Sequence, residues 1–218
     1  MATGNINKTD LYDEILVQVP GAGLSVVKQV VNATLREFFV QSGAWLKQEP
    51  PLNIKAGKTD YYLDPQADGD VLYIDAIAVP LGEGFKFLKA QTEMGAKMTV
   101  TTPTSSPTAW HGYVDQPGKF TLSPAVNQDI TRGLYPFVCL TLPDNRTTVP
   151  AWMLRYWKDY WLDGAIGKLM SMPDKPYTNL VTSQYYMRRF RNGMAQARQM
   201  ARRQFTSADT PFQFPRWA

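Results

Sequence analysis

The run AWMLRYWKDYWLDGAIGKLM, residues 151 to 170, constrains this chain more than any other stretch. Pro150 stands where a proline is tolerated, in the first turn of a helix, and no breaker follows until Met172-Pro173. The spacing predicts one long helix. Arg155, Lys158, Asp159, Asp163 and Lys168 are spread round its wheel, and Trp152, Tyr156, Trp157, Tyr160, Trp161, Leu162, Ile166 and Leu169 fill most of the rest. A helix apolar on several sides must be covered on several sides. Gly164 and Gly167 would let another backbone come close. The helix is therefore expected at the centre of a bundle, with a core drawn from Trp152, Tyr156, Trp157, Tyr160 and Trp161 and from Phe38, Trp45, Phe190 and Met194 on other helices.

Asp174-Lys-Pro176 restarts the chain, and a second helix is predicted from Tyr177 to Phe205. At 3.6 residues per turn, Tyr186, Phe190, Met194, Ala197, Ala201 and Phe205 share one face, while Arg188, Arg191, Arg198 and Arg202 lie opposite. Arg189 and Arg203 flank that basic face. No Asp or Glu occurs between Lys175 and Ala208, so no carboxylate of this helix can neutralise the arginines by i,i+4 pairing. Two readings are open at this point: a solvated basic face, or a surface for phosphate or an acidic protein neighbour.

At 218 residues the chain can bury a proper core, and 44% apolar with 19% charged residues describes a folded protein. A net charge of +4 is too small to diagnose nucleic-acid binding, but six arginines between 188 and 203 make its distribution informative. The single cysteine, Cys139, rules out an internal disulfide framework and suits a reducing compartment. The N-terminal residues MATGNINKTD do not read as a secretory signal, and no apolar run is long enough to span a membrane, so no membrane association is expected.

In chain order, Thr9 or Asp10 is expected to cap a short helix through LYDEILVQV, followed by a turn at Pro20-Gly-Ala-Gly23. A longer helix follows, with Leu24, Val27, Val31, Leu35, Phe38 and Trp45 as its stripe and Val26, Val30, Ala33 and Val40 as a second apolar strip, until Glu49-Pro-Pro51 stops it. From Leu52 the pattern changes to short strand-like pieces: 52–54, 61–63, 71–79, 85–88, 97–101, 108–114, 119–122 and 134–142. The expected fold is α+β. A helical bundle combines residues 1–50 with 148–205, an antiparallel β-sandwich or barrel-like domain at 51–147 is inserted into it, and 206–218 form an extended arm. That arm carries Phe212, Phe214, Arg216 and Trp217 on a proline-stiffened segment suited to docking on a neighbour.

No catalytic, cofactor or metal site is expected. One histidine, His111, and one cysteine cannot assemble a zinc site from N and S ligands. Cys139 lies in the apolar run LYPFVCLTL and reads as a small buried hydrophobe. Gly21-Ala-Gly23 and Gly82-Glu-Gly84 lack the third glycine of a dinucleotide fingerprint, and Walker, HExxH and GxSxG patterns are missing.

Taken together, the VPG turn, TLREFFVQSGAW, the β insertion, PAWMLRYWKDYWLDGAIGKLMSMPDKPYTN and the Arg-rich last helix resemble the head-to-tail adaptor, or connector, proteins of tailed bacteriophages, the short-tailed ones most closely. The resemblance spans about residues 9 to 205. Its most specific part is LMSMPDKPYTNL, which departs from the LLxMPxKPWxNP form at Tyr177 and Leu180. The resemblance implies a non-enzymatic virion protein at the head-tail junction, made in the bacterial host cytoplasm. A ring of about twelve copies, closing by rotation, would sit under the portal protein. It would extend the channel for viral double-stranded DNA during genome ejection and provide a platform for a tail nozzle or tail tube protein. The arm at Phe212 to Trp217 would dock on the portal. The basic face is expected to meet mostly protein neighbours, since phosphate contacts through six arginines in every subunit would hold the DNA against ejection. The alternative is a nucleic-acid-binding virion or accessory protein that uses the Arg-rich helix.

Overall fold

A computed structural model of the chain describes residues 5–63, 69–81, 84–89, 111–143 and 146–202. The fold is mixed α+β, with antiparallel sheets. Its elements, in order, are β1 (Asn5–Asn7), α1 (Thr9–Gln18), α2 (Leu24–Ser42), β2 (Leu46–Gln48), β3 (Leu52–Ile54), β4 (Asp60–Tyr62), β5 (Asp70–Leu81), β6 (Gly84–Lys89), β7 (His111–Gln116), β8 (Lys119–Ser123), β9 (Ile130–Thr141), β10 (Thr148–Pro150), α3 (Ala151–Met170) and α4 (Leu180–Arg202). They divide into a helical unit built from both ends of the chain, Met1–Ala44 with Asp144–Ala218, and a β unit, Trp45–Pro143.

In the helical unit α3 packs against α1, α2 and α4. From Trp161 to Gly167 every residue of α3 is buried, as expected for a helix covered on several sides. Phe38 of α2 gathers the aromatics, with ring centroids 5.5 Å from Trp157, 5.7 Å from Trp161 and 6.2 Å from Phe190. Glycines set how closely the helices approach. A Cβ at Gly164 would lie 2.7 Å from side-chain carbons of both Phe190 and Thr34, and one at Gly167 would lie 3.2 Å from the backbone nitrogen of Met187. Between α1 and α3, Lys158 pairs with Glu14; between α2 and α3, Lys168 Nζ lies 2.6 Å from Glu37 Oε2.

Five of the residues expected in the bundle core need correction. Trp152 and Tyr156 are exposed: they lie in the first two turns of α3, ahead of the stretch from Trp161 that is buried on every side. Tyr160 and Met194 are only half-buried, at the edge of the α3–α4 contact. Trp45 is buried but belongs to the β unit. Gly43 takes up φ +60°, the left-handed conformation that closes helices, and its N–H donates to Phe39 O at 2.9 Å. The apolar stripe of α2 continues past a residue at which the helix has already ended, so the chain leaves the helical unit at Ala44, ahead of the expected boundary at residue 50.

Neither Thr9 nor Asp10 caps α1. The cap position is Lys8, and Asn7 Oδ1 accepts from the Thr9 N–H at 3.2 Å. Residues 5–7 pair antiparallel with β10, from Asn5↔Pro150 to Asn7↔Thr148, so this segment is fastened beside the start of α3. Three-residue strands such as these give no period to read.

The β unit is organised on two twelve-residue strands, β5 and β9, paired antiparallel from Asp70↔Thr141 to Ala78↔Tyr135. The sheet runs β2-β9-β5-β6, with β3 also on β9; a second sheet runs β4-β8-β7. Neither sheet closes into a barrel among the described residues, so of the two expected forms the sandwich-like one fits. Ile54, Ile77, Phe120, Leu122, Leu134 and Val138 are fully buried within the unit, and Tyr61 stacks on Phe120 at 5.3 Å. The strands expected at 52–54, 61–63, 71–79, 85–88, 119–122 and 134–142 correspond to β3, β4, β5, β6, β8 and β9, and the later part of 108–114 falls in β7. The strand expected at 97–101 lies outside the described residues.

Candidate functional site

The residues that could carry function lie on α4. Its buried positions are Ser183, Phe190, Gly193, Ala197 and Ala201, one face at helical spacing, and that face packs on α3 and α2. Contact is closest at Gly193, where a Cβ would lie 2.2 Å from Tyr160 Cγ. Ser183 Oγ donates to Gly167 O at 2.7 Å and ties the first turns of α4 to α3. This anchoring fixes the rotation of the helix and decides where each arginine points.

Arg188, Arg189, Arg191, Arg198 and Arg202 are all exposed, but their roles differ. Arg189 turns toward α3, where its Nε lies 3.1 Å from Asp163 Oδ2. Asp163 is buried, and no aligned hydrogen bond reaches that oxygen among the described residues. Burial pushes the Asp163 carboxyl up from its ordinary value; Arg189 opposes this shift and the nearby Asp159 adds to it. Arg189 in turn is raised, first by the Asp163 charge and then by its contact with Tyr185, whose ring centroid lies 5.7 Å from the guanidinium. Its neutralising acid sits 26 positions away on another helix, beyond the reach of an i,i+4 search.

Arg198 turns the other way and donates to Gln41 O, a carbonyl of the last turn of α2. Arg188, Arg191 and Arg202 have no ion pair or hydrogen bond among the described residues. With Arg198 they fall within a quarter-turn on one side of α4, which also holds exposed Gln184 and Ala195 and is bordered by exposed Gln199. A groove of about 510 Å³ runs beside Arg188 and Arg191, lined also by Ser183, Gln184, Met187 and Asn192. The expected basic face is therefore two surfaces: a latch, Arg189 to Asp163, and an open stripe.

Arg203 and the arm residues Phe212, Phe214, Arg216 and Trp217 lie outside the described residues. Cys139 is fully buried, and burial pushes its thiol up from the ordinary value, the opposite of an activated nucleophile. Among the described residues no group of three or more His, Cys, Asp or Glu side chains could hold a metal ion. No helix among them is long and apolar enough to cross a membrane.

One further feature was not legible beforehand. Val17 and Val181 are more than four-fifths exposed, and Leu24, Leu180 and Tyr185 are about half exposed. These residues lie at the α1–α2 and α3–α4 turns, which are brought together where Pro176 Cγ lies 3.6 Å from the Cβ position of Gly21. One end of the bundle thus exposes five apolar side chains, among polar ones such as Gln18, Asp174, Lys175 and Asn179. Compared with known proteins, the chain matches no family model and no curated relative.

Proposed function

We propose that the protein is a head-to-tail adaptor of a tailed bacteriophage: a structural, non-enzymatic virion component that forms a ring beneath the portal, extends the DNA channel and carries the next tail protein. The observation that carries this reading is the set of exposed apolar side chains at one end of the bundle, Val17, Leu24, Leu180, Val181 and Tyr185, on a unit that the β insertion splits in sequence. Exposed apolar clusters of this kind are docking surfaces for protein neighbours. They adjoin the MPDKPYTN turn, the most specific part of the resemblance. A second side of the bundle supports the reading. Trp152 and Tyr156 expose aromatic surface at the start of α3, beside exposed Arg155 and Asp159, and a subunit with apolar groups exposed on more than one part of its surface suits a head-to-tail ring.

The test is to mix the purified chain with the portal of its own phage and image the product by electron microscopy. A symmetric collar below the portal is the expected result. A folded chain that leaves the portal bare overturns the proposal. Val17→Asp with Val181→Asp is expected to prevent the collar while leaving the monomer folded, since both side chains are already in water.

A further inference from the structure

We infer that the open stripe of α4, Arg188, Arg191 and Arg202 with Gln184 and Gln199 beside them, is a binding surface for the sugar-phosphate backbone of duplex nucleic acid. The inference gives the adaptor reading a specific DNA contact, but it rests on the stripe itself.

Three observations carry it. The first is spare charge: Asp163 pairs with Arg189, whereas Arg198 meets only the neutral carbonyl Gln41 O, and Arg188, Arg191 and Arg202 have no ion pair or hydrogen bond among the described residues. The second is geometry. Arg188 to Arg202 spans about 21 Å on a straight helix whose rotation Gly193 and Ser183 fix, enough to follow several consecutive phosphates. The third is what the stripe lacks. Protein interfaces concentrate their energy in desolvated aromatic or apolar anchors and deplete charge at their centre. Between Arg188 and Arg202 this side of α4 has only the small Ala195 as an apolar residue; the rest are guanidinium and amide groups, the donors that phosphate oxygens accept. Exposed Gln184 and Asn192 also line the groove beside Arg188 and Arg191.

The objection that six arginines in every subunit would grip DNA too firmly also weakens. Asp163 neutralises Arg189, a carbonyl engages one donor of Arg198, Arg203 lies outside the described residues, and Arg188, Arg191 and Arg202 make a contact that salt weakens and that carries no sequence preference.

The experiment measures binding of the full chain to a fluorescent duplex across a salt series, with two unrelated duplex sequences and a poly-glutamate chain of matched charge as competitor. The variants are R188Q/R191Q/R202Q and, as a charge-matched control elsewhere on the helical unit, K28Q/R155Q/K175Q. The expected result is equal binding of both duplexes, with a log-affinity against log-salt slope that the stripe variant makes shallower by about 2 to 3 and the control leaves in place. Absence of duplex binding at low salt, equal loss in both variants, or preference for poly-glutamate would each overturn the inference, the last in favour of an acidic protein partner. Portal attachment, imaged separately, keeps the two proposals distinguishable: a collar without stripe-dependent DNA binding removes this inference alone, and DNA binding without a collar removes the adaptor reading alone.

Discussion

Gly193 lies so close beneath Tyr160 that a Cβ on it would come within 2.2 Å of the ring's Cγ. Gly193→Ala therefore pushes α4 off α3, and a loss of roughly 1 to 3 kcal/mol in urea unfolding is expected. Removing the ring should relieve the two closest contacts and leave only that to the Cβ of residue 160, at 2.7 Å. In a double-mutant cycle with Tyr160→Ala the two losses are expected to be clearly less than additive. Full additivity would mean that the two residues do not set the helix spacing.

Trp157 is 1% exposed and meets Phe38, Phe39 and Trp161. Trp157→Ala should cost roughly 3 to 5 kcal/mol. The same change at Trp152, which is 38% exposed, should cost far less. Comparable losses at the two positions would refute the side of α3 assigned to the core.

The Asp163–Arg189 latch predicts a pH dependence of unusual sign. Burial raises the folded-state pKa of Asp163 above its unfolded value. The folded state therefore holds the proton more tightly than the unfolded one. This contribution to stability is fully present below the ordinary carboxylate pKa and is lost as pH rises through the folded-state value. Asp163→Asn removes the dependence, so its unfolding midpoint should gain on the wild type as pH rises from about 3 to neutrality. Arg189 can turn to water in that variant, since its side chain is 46% exposed. An Asn variant less stable than wild type at every pH would show that the ion pair outweighs burial.

Two arginines seven positions apart on the stripe should behave differently. Arg198 donates to Gln41 O at the end of α2, and Arg198→Ala is expected to cost about 0.5 to 1.5 kcal/mol. Arg191→Ala, on a side chain with no partner among the described residues, should stay within about 0.5 kcal/mol of wild type. Thermal unfolding of the two single variants separates them.

What could be read beforehand follows the range of the physics involved. The course of α3 and the buried face of α4 come from local periodicity, and β3 comes from a short run bounded by turn residues; none of them needs knowledge of distant residues. Trp45 was misplaced because apolar spacing carries on through Gly43, whose left-handed φ ends the helix without disturbing the stripe. β1 and β10 pair across more than 140 positions through three residues each, and NIN and TVP have no pattern that announces a partner. The division of the arginines between latch and stripe depends on Asp163 and Gln41, which neighbour α4 only after the bundle is packed.

The split of the helical unit by the β insertion also sets an order of events during synthesis. Leu11, Phe38 and Phe39 leave the ribosome among the first residues of the chain, yet Trp157, Trp161 and Phe190 follow only after the whole of Trp45–Pro143 has been made. At about 5 to 20 residues per second, that interval lasts on the order of 5 to 20 s. Over that time α1 and α2 can bury their apolar stripes only against each other, and at its end the β unit has all of its own strands before α3 has been made. The nascent chain is thus most open to a chaperone on its first two helices, and truncation before α3 should leave a folded β unit trailing a sticky helical pair.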